Sequence, residues 1–218
     1  MRDVLSYSHI IWDWNGTLFD DAWLGVEVMN KSLKKRGWTL IDLEDYRRVF
    51  CFPVINYYRR LGFDFEKERW EDVGTEWVEE YERRREEVGL HKGAREVLRS
   101  FKERGIGQSI VSAYKQESLD ELIDQFALRS CFEGIHGLDD HYANSKEGIA
   151  RRWRHDLEQP ASEILFIGDT EHDVEVAKAI GVDCVLIPNG HQSRERLEKL
   201  GVRMVDDLEA LLTANTTN

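Results

Sequence analysis

With 218 residues, 41% hydrophobic and 33% charged, the chain can bury a real core and has the ordinary balance of a soluble globular protein. Its 42 acidic against 30 basic side chains leave a formal charge of -12, so neither nucleic acid nor an anionic membrane is expected as a partner, and an anionic substrate would need local compensation. Cys51, Cys131 and Cys184 are scattered and lack zinc-site spacing, residues 1–14 lack a signal-peptide core, and no apolar run reaches transmembrane length; these features predict reduced thiols and a cytoplasmic protein.

In chain order, an apolar run over residues 9–12 delivers Asp13 to a turn at Gly16, with Asn15 and Thr17 on either side. Open α/β folds present chemistry at such strand ends, which makes Asp13 a candidate nucleophile; a turn-capping role is the alternative. Residues 23–36 read as a helix, with Leu24, Val28 and Leu33 inward and Gly37 to end it. Asp42 can cap a helix over residues 43–50, and Pro53 can start another that closes near Gly62. A longer helix is expected over residues 65–88, where Trp70, Val73, Trp77 and Tyr81 recur at three and four. Glu79, Glu80, Glu82, Arg83, Arg84 and Arg85 form its solvated face.

From residue 94 the pattern alternates. Helices are expected over residues 94–104, through Leu119, Leu122, Ile123 and Phe126, and near residues 146–157, 173–180 and 193–200. Strands fall at residues 108–112, 132–135, 164–168, 184–187 and 203–205. Such alternation argues for βαβ units and a parallel sheet. The strand bearing Asp13 needs partners, and they lie beyond residue 105, so the stretch between reads as an insertion. The expected architecture is a Rossmann-like, doubly wound α/β core of residues 1–19 and 91–212, an all-α cap of residues 20–90, and a flexible tail at residues 213–218. Linkers near residues 19–22 and 89–93 would join cap and core beside the catalytic edge.

The second strong stretch is residues 164–181, where a strand again ends in Gly168 and Asp169, and Asp173 follows. Two carboxylates at neighbouring strand ends repel without a cation, and an oxygen-rich site suits Mg²⁺. Asp173 could instead cap the next helix. Ser112 ends a strand and is followed by free backbone donors from Ala113, a setting for a phosphoryl oxygen. Lys146 opens a helix, where its ammonium can act as a point charge.

These four stretches, in this order, resemble the haloacid dehalogenase superfamily of phosphatases and related phosphoryl-transfer enzymes. The hallmarks stand here as Asp13-Trp14-Asn15-Gly16-Thr17-Leu18, Ser112, Lys146 and Gly168-Asp169-Thr170-Glu171-His172-Asp173. The insertion, and the return segment at residues 91–106, are like the helical-capped, phosphoglycolate phosphatase-like branch. The resemblance implies a magnesium-dependent phosphatase of a small phosphorylated metabolite in which Asp13 forms an aspartyl-phosphate. It implies Mg²⁺ held by the Asp13 carboxylate, the main-chain oxygen of Asn15 and Asp169, with Asp173 in support, and the phosphoryl group held by Ser112, Ala113 and Lys146.

One position departs from the family pattern. Family phosphatases carry an acid/base Asp two residues after the nucleophile, where this chain has Asn15. An amide exchanges no proton, and general acid/base catalysis is typically worth about 10²–10⁴ in rate. The sequence therefore leaves open a slow phosphatase, a substrate with a good leaving group, a proton from Asp20, Asp21 or His172, or a phosphate-binding regulatory module with little turnover. A phosphonate hydrolase would need a cap lysine, for which Lys31, Lys34, Lys35 and Lys67 are the candidates. Trp14 and Tyr114 neighbour proposed site residues and are expected to contact substrate, whereas Tyr57, Tyr58, Arg59 and Arg60 fit the core and surface of the cap better.

Overall fold

The computed structural model describes residues 3–139 and 145–213. Six parallel strands form one sheet in the order β3-β2-β1-β4-β5-β6: β1 His9–Trp12, β2 Gly107–Lys115, β3 Gly134–Leu138, β4 Ile164–Gly168, β5 Asp183–Leu186 and β6 Arg203–Met204. The first strand is central, and the order reverses direction at β1, the switch point where such sheets open a crevice. All four residues of β1 are buried, as expected for a strand covered on both faces.

Alternation along β1 separates the two faces. Ile10 and Trp12 pack with Val97, Leu98 and Phe101 of α5 (Ala94–Glu103) and Leu122 of α6 (Gln116–Gln125). Ile11 packs on the other side with Ile149 of α7 (Glu147–Asp156) and Val176 and Ala177 of α8 (Glu171–Ile180). The predicted doubly wound class is the observed one. The last helices, α9 Arg194–Glu198 and α10 Ala210–Thr213, cover the β6 side and the start of the chain. The helix α10 was not expected; Thr213, assigned to the tail, is its last residue, and residues 214–218 lie outside the described ones.

Between β1 and the sheet-packing helix α5 run four α-helices: α1 Ala22–Lys35, α2 Leu43–Val49, α3 Val54–Arg60 and α4 Trp70–Arg84. They have their own core, in which Met29 and Leu33 meet Tyr46, Phe50, Tyr57, Tyr58 and Val73. Asp42 caps α2 by accepting from the Asp45 N–H at 2.7 Å. The fourth helix starts five residues later than the apolar spacing suggested, because Asp64 ties residues 64–67 into a turn, its carboxylate accepting from the Glu66 N–H at 3.0 Å. The two strands of chain that lead in and out pair with each other: Asp20 N–H donates to the Gly89 carbonyl at 3.0 Å and His91 N–H to the Leu18 carbonyl at 2.9 Å.

Two strands differ from expectation by more than one residue. The third strand starts at Gly134 and continues past Ile135 to Leu138, and β2 runs past Ser112 to Lys115 because a register irregularity between Val111 and Lys115 carries the pairing onward.

Candidate active site

The carboxyl ends of β1 and β4 lie side by side, with Trp12 in register with Ile167 and Asp13 N–H donating to the Ile167 carbonyl at 2.9 Å. This pairing brings Asp13 and Asp169 to one edge although 156 positions separate them in sequence. Helix α8 adds Asp173 from its first turn. Ligand oxygens of Asp13, Asp169 and Asp173 all lie within 4.8 Å of one another, and all three residues are buried.

The two oxygens of Asp173 have different surroundings. Its Oδ2 accepts from the backbone N–H groups of Asp169 and Thr170 at 3.1 and 2.9 Å and from the Thr170 hydroxyl at 2.7 Å, which caps α8. Its Oδ1 stays with the cluster, 2.6 Å from Lys146 Nζ. The same ammonium pairs with Asp13 Oδ1. Lys146 stands at the N-terminus of α7, almost fully buried, and its ammonium lies over the Phe166 ring.

Burial pushes Asp13 up to about 8, with Lys146 opposing and Asp173 and Asp169 adding to the rise. Burial likewise lifts Asp169 to about 6, partly offset by His191. Burial also works against charge on Asp173 and Lys146, but each holds the other ionised, Asp173 below the usual carboxylate range and Lys146 above the usual amine range. Fully ionised, the three carboxyl groups against one ammonium would leave two negative charges, the charge a divalent cation would balance. An all-oxygen donor set of this size suits Mg²⁺.

The wall behind Asp169 is backbone. Thr17 Oγ1 donates to Asp169 Oδ1 at 3.0 Å, and His191 N–H donates to Oδ2 at 2.6 Å. A Cβ at Gly190 would sit 2.0 Å from Asp169 Oδ2, and one at Gly16, where φ is +75°, would sit 2.4 Å from it; only glycine permits this approach.

Asn15 belongs to a buried polar network. Its amide donates to Asp21 Oδ2 at 3.0 Å and to Tyr81 Oη at 3.1 Å. Asp21 also accepts from Gly16 N–H at 2.8 Å and from the Tyr81 hydroxyl at 2.6 Å, and its Oδ1 lies 3.3 Å from His191 Nε2. Burial opposes the charge on Asp21, but His191, Tyr81 and Asn15 hold it below the usual carboxylate range. Burial opposes the charge on His191 too, yet Asp21 and Asp169 raise it to about 9, and its Nδ1 lies 2.8 Å from Tyr46 Oη.

A cavity of about 480 Å³ opens over the cluster, lined by Asp13, Asn15, Ser112, Ala113, Lys146 and Asp173 on the sheet side. Ser112 Oγ accepts from Tyr114 N–H at 3.0 Å, and Ser112 is buried. The helical side supplies Tyr46, Tyr57, Trp70, Trp77 and Tyr81. All seven site residues expected from sequence thus gather at one edge: six line the cavity, and Asp169 sits behind it.

Other expectations are corrected. Trp14 does not face the cavity; it is fully buried, stacked on Phe19 at 5.3 Å and beside Phe126. Tyr114 does line it. Of the candidate proton donors, His172 packs on the Phe52 ring and pairs with Glu175, and Asp20 lies 3.7 Å from His91; neither lines the cavity. Glu82, assigned to the solvated face, lines it and binds Tyr114 and Ser118. Lys31, Lys34, Lys35 and Lys67 are exposed and line no part of it, so among the described residues the cap lysine of a phosphonate hydrolase is missing. His191 and Tyr46 went unnoticed. The signal for His191 was its place in the turn after β5, at the same sheet edge as Asp13 and Asp169.

A family model described as haloacid dehalogenase-like hydrolase matches residues 10–187, which run from β1 to just past β5. The chain belongs to the haloacid dehalogenase-like hydrolase family. Among its relatives, a phosphoglycolate phosphatase of Pseudomonas fluorescens is 28% identical over 211 residues, covering 93% of this chain and 78% of the relative. A phosphoglycolate phosphatase of Synechococcus elongatus is 24% identical over 199 residues, covering 86% and 87%. A haloacid dehalogenase-like hydrolase from Streptococcus pneumoniae superposes with a TM-score of 0.82 at 17% identity, over 96% of this chain and 98% of that one. CbbY from Rhodobacter sphaeroides, in complex with phosphate, superposes at 0.72 with 20% identity, over 94% and 96%. These two structural likenesses speak to the fold, and the family places this chain among the hydrolases.

Proposed function

We propose that this haloacid dehalogenase-like hydrolase is a Mg²⁺-dependent phosphatase of a small phosphorylated metabolite. The observation that carries the reading is the meeting of Asp13, Asp169 and Asp173 around Lys146 on the floor of a cavity. The named relatives, phosphoglycolate phosphatases, support the reaction class.

In this reading Asp13 attacks phosphorus, the bond to the leaving oxygen breaks, and water later hydrolyses the aspartyl-phosphate. Lys146 and the Ser112 hydroxyl, with Ala113 N–H, hold the transferring oxygens. The carboxylates of Asp13 and Asp169 and the main-chain oxygen of Asn15 would hold Mg²⁺, with Asp173 in support. Bound there, the ion would screen phosphate from carboxylate and stabilise developing charge. Thr17 and His191 N–H orient Asp169. Helices α1 to α4 act as a cap over the edge, excluding water and selecting substrate. The three free cysteines and a phosphorylated metabolite as substrate fit a cytoplasmic enzyme.

Asn15 favours a second reading, a phosphate-binding module with little turnover, because its amide cannot serve as acid or base and is already committed to Asp21 and Tyr81. Phosphate release from a panel of phosphorylated metabolites with Mg²⁺, using Asp13→Asn as the blank, separates the two. Release that vanishes in the blank supports the phosphatase. Saturable, magnesium-linked phosphate binding without release supports the module.

A further inference from the structure

Both sides of the cavity bear on what leaves when phosphate is transferred. The helical side is aromatic: Phe52, Tyr57, Trp70 and Trp77 line it, and Tyr114 joins them from the end of β2. At about 480 Å³ it is the size of pockets that take ring-bearing ligands.

Charge in the cavity is internally settled. Of the cations that line it, Lys146 pairs with Asp13 and Asp173, Lys115 with Glu117, and His191 with Asp21. The acid Glu82 is held by Tyr114, Ser118 and Arg85. Lys115 is half-exposed beside an exposed Glu117, so among the described residues no buried lining cation is left for a carboxylate on the substrate. A second anionic group, as in phosphoglycolate, would be desolvated without a partner, which is costly.

Proton supply is settled in the same way. Asn15 cannot donate a proton to a leaving oxygen, Lys146 is held by Asp13 and Asp173, His191 is held between Asp21 and the Tyr46 hydroxyl, and the Tyr81 hydroxyl donates to Asp21. An alkyl alcohol departs slowly without a proton. A phenol, with a pKa near that of tyrosine at about 10, departs far more readily as its anion.

One polar group in the aromatic wall remains open. Tyr57 Oη is buried with no hydrogen-bond partner and lines the cavity. Such a group costs stability unless something reaches it, and it is placed to meet a polar substituent on a ring.

Resting on the phosphatase reading, we infer that the substrate is an aryl phosphate, the monoester of an uncharged phenol-type alcohol whose ring sits among Trp70, Trp77 and Tyr57. An Asp13 carboxylate oxygen forms a bond to phosphorus as the phosphorus–oxygen bond to the ring oxygen breaks. The electron pair stays on that oxygen, which leaves as a phenolate and takes its proton from solvent. Water then attacks phosphorus, releasing the Asp13 carboxylate, and its proton passes to the phosphate product.

The test compares phenyl phosphate, benzyl phosphate, acetyl phosphate and phosphoglycolate by phosphate release with Mg²⁺. We expect kcat/KM for phenyl phosphate to exceed that for phosphoglycolate and for benzyl phosphate by at least about 100-fold. Phosphoglycolate within about tenfold of phenyl phosphate overturns the inference. Trp77→Ala should lower kcat/KM for phenyl phosphate about tenfold more than for acetyl phosphate, with Trp77→Phe restoring most of the loss. No release from any of the four above the Asp13→Asn blank would instead defeat the phosphatase reading. Calorimetric titration with two non-hydrolysable probes tests the pocket apart from turnover: benzylphosphonate should bind at least about tenfold tighter than phosphonoacetate, and equal or reversed affinity overturns the inference.

Discussion

The two walls of the cavity are built on opposite principles. On the sheet side charged groups meet partners: Asp13, Asp173 and Lys146 neutralise one another in part, and Asp169 is held by Thr17 and by the backbone of His191. On the helical side packed rings predominate, such as Tyr58 against Trp70 at 5.1 Å and Trp77 against Tyr81 at 4.8 Å, and one buried hydroxyl, Tyr57, is left without a partner. The sheet wall is specified by charge and hydrogen-bond geometry, which tolerate little change. The helical wall is specified by volume and shape, which can be refilled with other rings. On the proposed reading, reaction type resides on one wall and substrate choice on the other.

Changes on the sheet wall should cost most. Asp13→Asn should lower phosphate release by at least about 10⁴-fold, read by steady-state assay, while leaving the fold intact. Lys146→Ala strands two buried carboxylates and should cost about 3–5 kcal/mol in denaturant unfolding without added metal.

A control lies at the other end of β1. His9 is fully buried, accepts or donates at Ser109 Oγ over 2.9 Å, and burial lowers it to about 4. Because its folded pKa lies below the unfolded value of about 6.5, the unfolded chain binds the proton first, and stability falls as pH drops through that window, by up to about 3 kcal/mol. His9→Phe should flatten the slope between those two pH values, measured by unfolding at each pH, without altering the relative rates on different phosphate esters.

The seam between the walls should respond less, and in a coupled way. Asn15→Asp sets a second carboxylate about where the amide now donates to Asp21 at 3.0 Å, so the single variant should lose about 1–3 kcal/mol of stability. Combining it with Asp21→Asn should recover most of that loss. Additive effects in this double-mutant cycle would show that the two side chains do not interact. The smallest effect belongs to the helical wall: Tyr57→Phe removes an unpaired buried hydroxyl and should leave stability unchanged or raise it by up to about 1 kcal/mol.

The same division explains what could be read from the sequence. Asp13, Lys146 and Asp169 stand next to the ends of elements, so the parallel sheet and its polar edge were legible from residues 9–17 and 164–173. Trp14 misled because adjacency in sequence to Asp13 was taken for adjacency in the site; neighbouring residues of extended chain point to opposite sides, and its ring joins Phe19 and Phe126 in the core. His191 and Tyr46 escaped because their meeting depends on a turn after β5 touching α2, a contact across 145 positions that no local periodicity records. Glu82 escaped for a related reason. Its neighbours in a charged run are on the surface, yet a helix turns one member of such a run inward, and here that member meets Tyr114 and Ser118.

The most direct test of the central claim is phosphate release from the purified protein as Mg²⁺ is titrated in and then chelated, with Asp169→Asn measured in parallel. If the three carboxylates form one cation-dependent phosphoryl-transfer site, the rate should fall by at least about 10³-fold on chelation, return with Mg²⁺, and stay low in the variant throughout. A chelated wild-type protein that releases phosphate as fast as the magnesium-loaded one would contradict it.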